Sequence, residues 1–169
     1  MTEKVIPEGK YADVGDGLKM HYLDVGQGDQ VIVFIHGSGP GASGYSNFKG
    51  NYPFLNQHGI RTLVCDTLGF GYSDKPDDGD YSLGALAKRY KALLDHAGVS
   101  KATFCGNSQG GAICVRMALD YPEVVEKLVL MAPGGMEERE VYMGMKGIRA
   151  MAKTVYKLGI TRESMRELF

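Results

Sequence analysis

The residues best suited to chemistry are Gly106-Asn107-Ser108-Gln109-Gly110-Gly111. They fit G-x-S-x-G and fall between an apolar run that reads as a strand and a periodic run that reads as a helix, the context this motif needs. A serine on so sharp a turn holds its hydroxyl above a sheet edge, where it can attack a carbonyl. Gly106 and Gly110 flank it because a Cβ at either place would collide across the turn. The Gln109 backbone N–H opens the following helix, whose dipole favours negative charge, so it is a candidate donor to the oxyanion. The alternative is a serine in a glycine-rich turn with no catalytic role.

An oxyanion hole needs a second donor. His36-Gly37-Ser38-Gly39-Pro40-Gly41-Ala42, directly after the apolar run Val31–Ile35, is the loop placed to supply it. Ser38 and Gly39 carry little or no side chain, so a main-chain N–H there can approach a substrate closely. The same residues satisfy Gly37-x-Gly39-x-x-Ala42, a dinucleotide-binding pattern, with Asp66 in the place of the ribose-binding acid. That reading requires a helix to open at the third small residue. Pro40, Gly41, Ser43 and Gly44 delay any helix and Asp66 comes too late, so the hydrolytic reading is preferred. Structural hydrogen bonding is the expectation for His36, and His21, His58 and His96 read as structural or surface residues. Cys65, Cys105 and Cys114 are an odd set without C-x-x-C spacing and read as buried, reduced thiols rather than a disulfide or metal site.

The elements that must position these loops follow from periodicity. Strands are expected at Leu18–Asp24, Val31–Ile35, Arg61–Cys65, Ala102–Gly106 and Val124–Met131. Helices are expected at Ser46–Gln57, Ser82–Ala97 and Gln109–Tyr121, with Ser82 as a cap and Leu83, Leu86, Tyr90, Leu93 and Leu94 on one face. Asp66–Asp80 is a long loop. Strands alternating with helices imply an α/β fold, a mostly parallel sheet with helices on both faces.

Composition sets the limits. The chain has 169 residues, 44% hydrophobic and 23% charged, which are ordinary globular values. Its formal net charge of −1 supplies no electrostatic footprint for nucleic acid. No apolar run approaches the roughly 20 residues that span a bilayer, and no signal peptide opens the sequence, so a cytoplasmic location is expected. Glycine is unusual at 24 residues, twice its common share of about 7%. Residues 1–135 hold 21 of these glycines, whereas 136–169 hold three together with five of the nine methionines. The first segment reads as the core and the second as a separate helical region.

Three quoted segments together, His36–Ala42 trailed by Ser46-Asn47-Phe48, Gly69–Pro76 and Gly106–Gly111, resemble the meta-cleavage product hydrolases of the α/β-hydrolase fold. These enzymes cut a carbon–carbon bond in ring-opened aromatic compounds. The resemblance implies Ser108 as nucleophile or activator of water, with an oxyanion hole made by the amides of Gln109 and of Ser38 or Gly39. It implies that Asn47 and Asn107 orient the dienol and carboxylate end of the substrate; turn and cap chemistry is the alternative for both. It implies no metal and no organic cofactor, and a small molecule as partner, with homo-oligomer formation left open. Residues 136–169 would begin a helical cap, with Val141, Met145, Ile148, Ala152, Val155 and Leu158 on one helical face and a further helix at 162–169. Structural hydrogen bonding is expected of Asp66, Ser73 and Asp74.

In this fold the acid and the histidine of the triad follow the serine, yet no histidine follows Ser108. Both would then lie outside this sequence, truncated within the cap, and the 169 residues alone are expected to be inactive. Three functions stay in contention: a C–C hydrolase needing its C-terminal part, a serine carboxylesterase of the same fold, and a non-catalytic binding module.

Overall fold

Runs rich in Val, Ile and Leu, separated by helices, build a sheet whose central strands are buried on both faces. A computed structural model of the chain describes residues 8–158, apart from the side chains of residues 139, 151 and 154–158. The strands are β1 (Lys10–Asp13), β2 (Lys19–Val25), β3 (Val31–Ile35), β4 (Arg61–Cys65), β5 (Ala102–Asn107) and β6 (Val125–Met131). They lie in the order β1-β2-β4-β3-β5-β6. β4, β3, β5 and β6 run parallel, while β1 and β2 add antiparallel pairings at one edge. β1 escapes the sequence reading because only Ala12 of its four residues is buried, too little for alternation to register.

The helices are α1 (Gly44–Phe48), α2 (Tyr52–Gln57), α3 (Leu83–His96), α4 (Gln109–Asp120), α5 (Arg139–Gly144) and α6 (Lys146–Leu158). α3 and α4 match expectation, and the Ser82 hydroxyl caps α3 by accepting the Ala85 N–H at 3.3 Å. The single helix expected over Ser46–Gln57 is instead two. Pro53 sits in the first turn of α2, where it lacks an N–H and its ring would clash with the Lys49 carbonyl of a continuous helix. α1 starts early because Ser43 and Ser46 form a reciprocal capping box, with hydroxyl-to-amide distances of 3.0 and 2.9 Å.

Alternation along the central strands divides the core. Val33, Ile35, Leu63 and Cys65 face α3 and α4, where Leu86, Tyr90, Leu93, Ile113 and Met117 are buried. Phe34, Val64 and Cys105 point the other way, against Phe48 and Tyr52 of α1 and α2. All three cysteines are free and buried, and burial pushes the Cys114 thiol up to about 12.

The chain divides into two compact units, one up to Gly134 and the other from Gly135. In the second unit the helical face expected from Val141 to Leu158 is interrupted. Met145 has an extended backbone (ψ 130°), which separates α5 from α6. The helix expected at 162–169 lies outside the described residues.

Candidate active site

Ser108 stands between the end of β5 and the first residue of α4, with φ 53° and ψ −116°. A non-glycine residue held there stores about 1–3 kcal/mol of strain, so its surroundings must over-determine it. They do. The Ser108 N–H donates to the Met131 carbonyl at 3.0 Å, and its carbonyl accepts from Gly134 at 2.9 Å and Ala112 at 3.2 Å. A Cβ on Gly106 would overlap the Gly110 carbonyl oxygen, and one on Gly110 would overlap the Ile35 carbonyl oxygen. The turn is thus a close packing of backbone on backbone. Gln109 is the first residue of α4, so its N–H is one of those a helix leaves unpaired.

β3 and β5 are parallel neighbours, with Ile35 opposite Gly106, so the loops that follow them emerge side by side. A Cβ on Gly37 would stand 3.2 Å from the Ser108 Cβ, which brings the loop from His36 against the serine. Ser38 is exposed and Gly39 half-buried. The Asn47 Oδ1 accepts from the Asn107 Nδ2 at 3.3 Å and, at a long 3.5 Å, from the Gly37 N–H. The Asn47 Nδ2 donates to the Ser46 hydroxyl at 3.2 Å. The fold therefore gathers Ser108, Asn107, Asn47 and the loop carrying Ser38 and Gly39, although 60 residues separate the two asparagines in sequence. That contact has no signature in local spacing.

None of the four histidines is poised as a base for Ser108. His36 is buried with both ring nitrogens engaged: Nδ1 donates to the Gly37 carbonyl at 2.8 Å, and Nε2 accepts the Thr67 N–H at 3.0 Å. This pattern fits only the neutral ring, and burial pulls its pKa below the ordinary histidine range. His21 bonds Asp66 at 2.9 Å. It lies on β2, three strand spacings or ~14 Å from β5. His58 bonds the Phe54 carbonyl at the end of α2, and His96 ends α3, which returns to the start of β5 rather than to the end that carries Ser108.

Asp66 does not play the ribose-binding part. It is 2% exposed and accepts the Gly44 N–H at 2.8 Å and the Tyr72 N–H at 2.9 Å as well as His21. Burial would raise its carboxyl, but the bonds from His21, Tyr72 and Gly44 outweigh this and hold it below the usual carboxylate range. The first N–H of α1 is thereby occupied, and the helix opens at Gly44 rather than at Ala42, so no pyrophosphate cradle forms. Ser73 and Asp74 bind main chain: the Ser73 hydroxyl donates to the Asp66 carbonyl and accepts the His21 N–H, and Asp74 accepts the Lys19 N–H. Among the described residues, no three His, Cys, Asp or Glu side chains converge as metal ligands do, and no helix is long and apolar enough to cross a membrane.

A family model described as alpha/beta hydrolase fold matches residues 30–161. The chain is 44% identical over 134 residues to a 2-hydroxy-6-oxononadienedioate/2-hydroxy-6-oxononatrienedioate hydrolase of a Pseudomonas species, covering 75% of this chain and 46% of that protein. Among solved structures it is similar to a meta-cleavage product hydrolase (CumD) from Pseudomonas fluorescens. The TM-score is 0.79 at 33% identity, over 95% of this chain and 55% of the other. An esterase from Exiguobacterium antarcticum aligns with a TM-score of 0.74 at 25% identity, over 89% of this chain and 57% of that one. The chain spans about half the length of the curated relatives it matches.

Proposed function

Because this chain belongs to the α/β-hydrolase fold family, we propose that it carries the nucleophile and oxyanion hole of a C–C bond hydrolase. The substrate is a 2-hydroxy-6-oxo-dienoate, the class its relatives are named for. The observation that carries this reading is Ser108 at φ 53° at the head of α4, packed against the loop from His36. Attack on the C6 ketone, by the Ser108 hydroxyl or by water it activates, turns the carbonyl oxygen into an oxyanion. The Gln109 N–H and that of Ser38 or Gly39 receive this charge, and each such donor is worth about 2.7–4 kcal/mol in the transition state. Asn107 and Asn47 hold the dienol and carboxylate end. Cleavage requires the enol to ketonise first, with a proton added at C5, because only then can the C5–C6 bonding pair flow through the C3–C4 double bond to the C2 oxygen. That oxygen takes up a proton to give the 2-hydroxydienoate. C6 leaves as the carboxylic acid, directly where water attacked or after water cleaves the acyl-serine. No metal or organic cofactor enters this scheme.

The serine still needs a base. With His36 and His21 committed elsewhere, the triad histidine and acid come from polypeptide outside this sequence, and the 169 residues alone do not turn over. Without its base a triad serine retains only the contribution of oxyanion hole and binding.

The test compares bleaching of a coloured dienolate with release of nitrophenol from a simple ester by the native protein that carries this sequence. Ser108→Ala should lower dienolate turnover by about 10⁵–10⁶. Unchanged turnover removes the serine from the mechanism. The resemblance to the Exiguobacterium esterase supports a second reading, a carboxylesterase, and faster ester than dienolate hydrolysis would select it.

A further inference from the structure

We propose that Asp66 is a positioning residue for the oxyanion loop, fixing one end of residues 36–44 while the adjacent Thr67 N–H fixes the other. The proposal rests on the reading that Ser38 or Gly39 in this loop serves the oxyanion. At the loop's start, the Thr67 N–H donates to His36 Nε2 at 3.0 Å. At its close, the Gly44 N–H donates to Asp66 Oδ1 at 2.8 Å. Two consecutive residues at the end of β4 thus hold both ends of a segment that contains no strand or helix of its own before α1. Inside it, one turn bond runs from the Ala42 N–H to the Gly39 carbonyl at 3.0 Å.

Asp66 is built for this task. Its other oxygen, Oδ2, accepts His21 Nδ1 and the Tyr72 N–H, each at 2.9 Å. The His21 ring is wedged between Tyr11 and Tyr72, with centroid distances of 5.3 and 5.1 Å, which holds the carboxylate plane in place. A carboxylate that only closed its own turn would need the Tyr72 N–H, six residues on. The bond to Gly44 reaches back 22 residues. Gly44 itself lies flat on β4: a Cβ there would stand 2.6 Å from the Cys65 carbonyl oxygen, so only glycine lets this N–H settle over Asp66. Small displacements of an oxyanion donor are costly because its hydrogen bond must meet the charge where it develops.

Asp66→Asn tests this in the native protein that carries this sequence. It keeps the size but replaces one acceptor oxygen with an NH₂ group facing N–H donors. Amide hydrogen exchange at Gly37, Ala42 and Gly44 should quicken about tenfold, the effect of one lost hydrogen bond of ordinary strength. The Ser38 and Gly39 amide resonances should shift, while amides in β3 and β5 keep their native rates. Asp74→Asn, which alters the neighbouring carboxylate bonded to Lys19, should leave the loop unchanged. Quickening confined to residues 67–73, or by one common factor in every element, would overturn the proposal. Should Asp66→Asn fail to fold, native-state exchange decides. Gly37, Ala42, Gly44 and Tyr72 should then share one opening event, and independent opening of Gly44 refutes the latch. In the native protein the same variant should lower kcat about tenfold with KM within about twofold, and a change in KM alone counts against it. Ser108→Ala leaves loop exchange native, so a failed hydrolase reading is distinguishable from a failed latch.

Discussion

The two loops at the end of β3 and β5 lie side by side but are held by different physics. The turn around Ser108 is locked by backbone packed on backbone, with Gly106 against Gly110 and Gly110 against Ile35. The loop from His36 to Gly44 is held by polar tethers to Asp66 and Thr67. Steric locking is insensitive to pH and intolerant of a single methyl group. Polar tethering responds to protonation, although at its closing residue, Gly44, it is no more tolerant of a methyl group. In the proposed reaction, a nucleophile on a strained turn suits the first, and an oxyanion loop that must meet a substrate suits the second.

Gly110→Ala should show the steric side at its strongest. A methyl group forced into the Ile35 carbonyl should lower unfolding free energy by about 3 kcal/mol or more, the upper range for overpacking. Urea unfolding followed by circular dichroism measures it, and a loss under 1 kcal/mol would erase the contrast.

The polar side should appear as a pH dependence. Burial depresses the His36 pKa in the folded state below its ordinary 6.5, so the unfolded chain binds the proton more readily. The stability contributed by neutral His36 is complete above pH 6.5 and declines as pH falls below it, by at most about 1.4 kcal/mol per unit. Protonation would also turn Nε2 into a donor facing the Thr67 N–H. Urea midpoints between pH 7.5 and 5 should fall in the native chain and less steeply in His36→Gln; parallel slopes would count against the tether.

Ser43→Ala is the mildest probe. It removes the hydroxyl half of the capping box that closes the loop and should lower stability by about 1 kcal/mol. A larger loss than that of Gly110→Ala would reverse the comparison.

Much of this was legible in the residues themselves. The strands Val31–Ile35 and Arg61–Cys65 read to the residue, the first because a strand buried on both faces is a continuous apolar run. The Ser108 turn was legible because its G-x-S-x-G signature lies within six consecutive residues, although Ile35, Met131 and Gly134 complete it in space. The break between α1 and α2 was readable in principle from Pro53, but the apolar pattern across Ser46–Gln57 outweighed it. β1 carries too few buried side chains to announce itself. The part played by Asp66 was hidden, since its partners lie 45 and 22 residues back in the chain and six residues ahead.

By itself, then, the sequence determined what a single turn can encode: a serine in G-x-S-x-G, a helix N–H beside it, and glycines where backbone must touch backbone. Tertiary structure alone decided that His36 faces Thr67 rather than Ser108, that His21, three strand spacings from β5, pairs with Asp66, and that Asn47 meets Asn107. The physical reason is range. The steric constraints of the turn demand glycine at fixed spacings and so leave a pattern in the chain, even where the neighbour is as distant as Ile35. Hydrogen bonds between side chains brought together by strand order depend on the sheet having formed, and no local spacing records them.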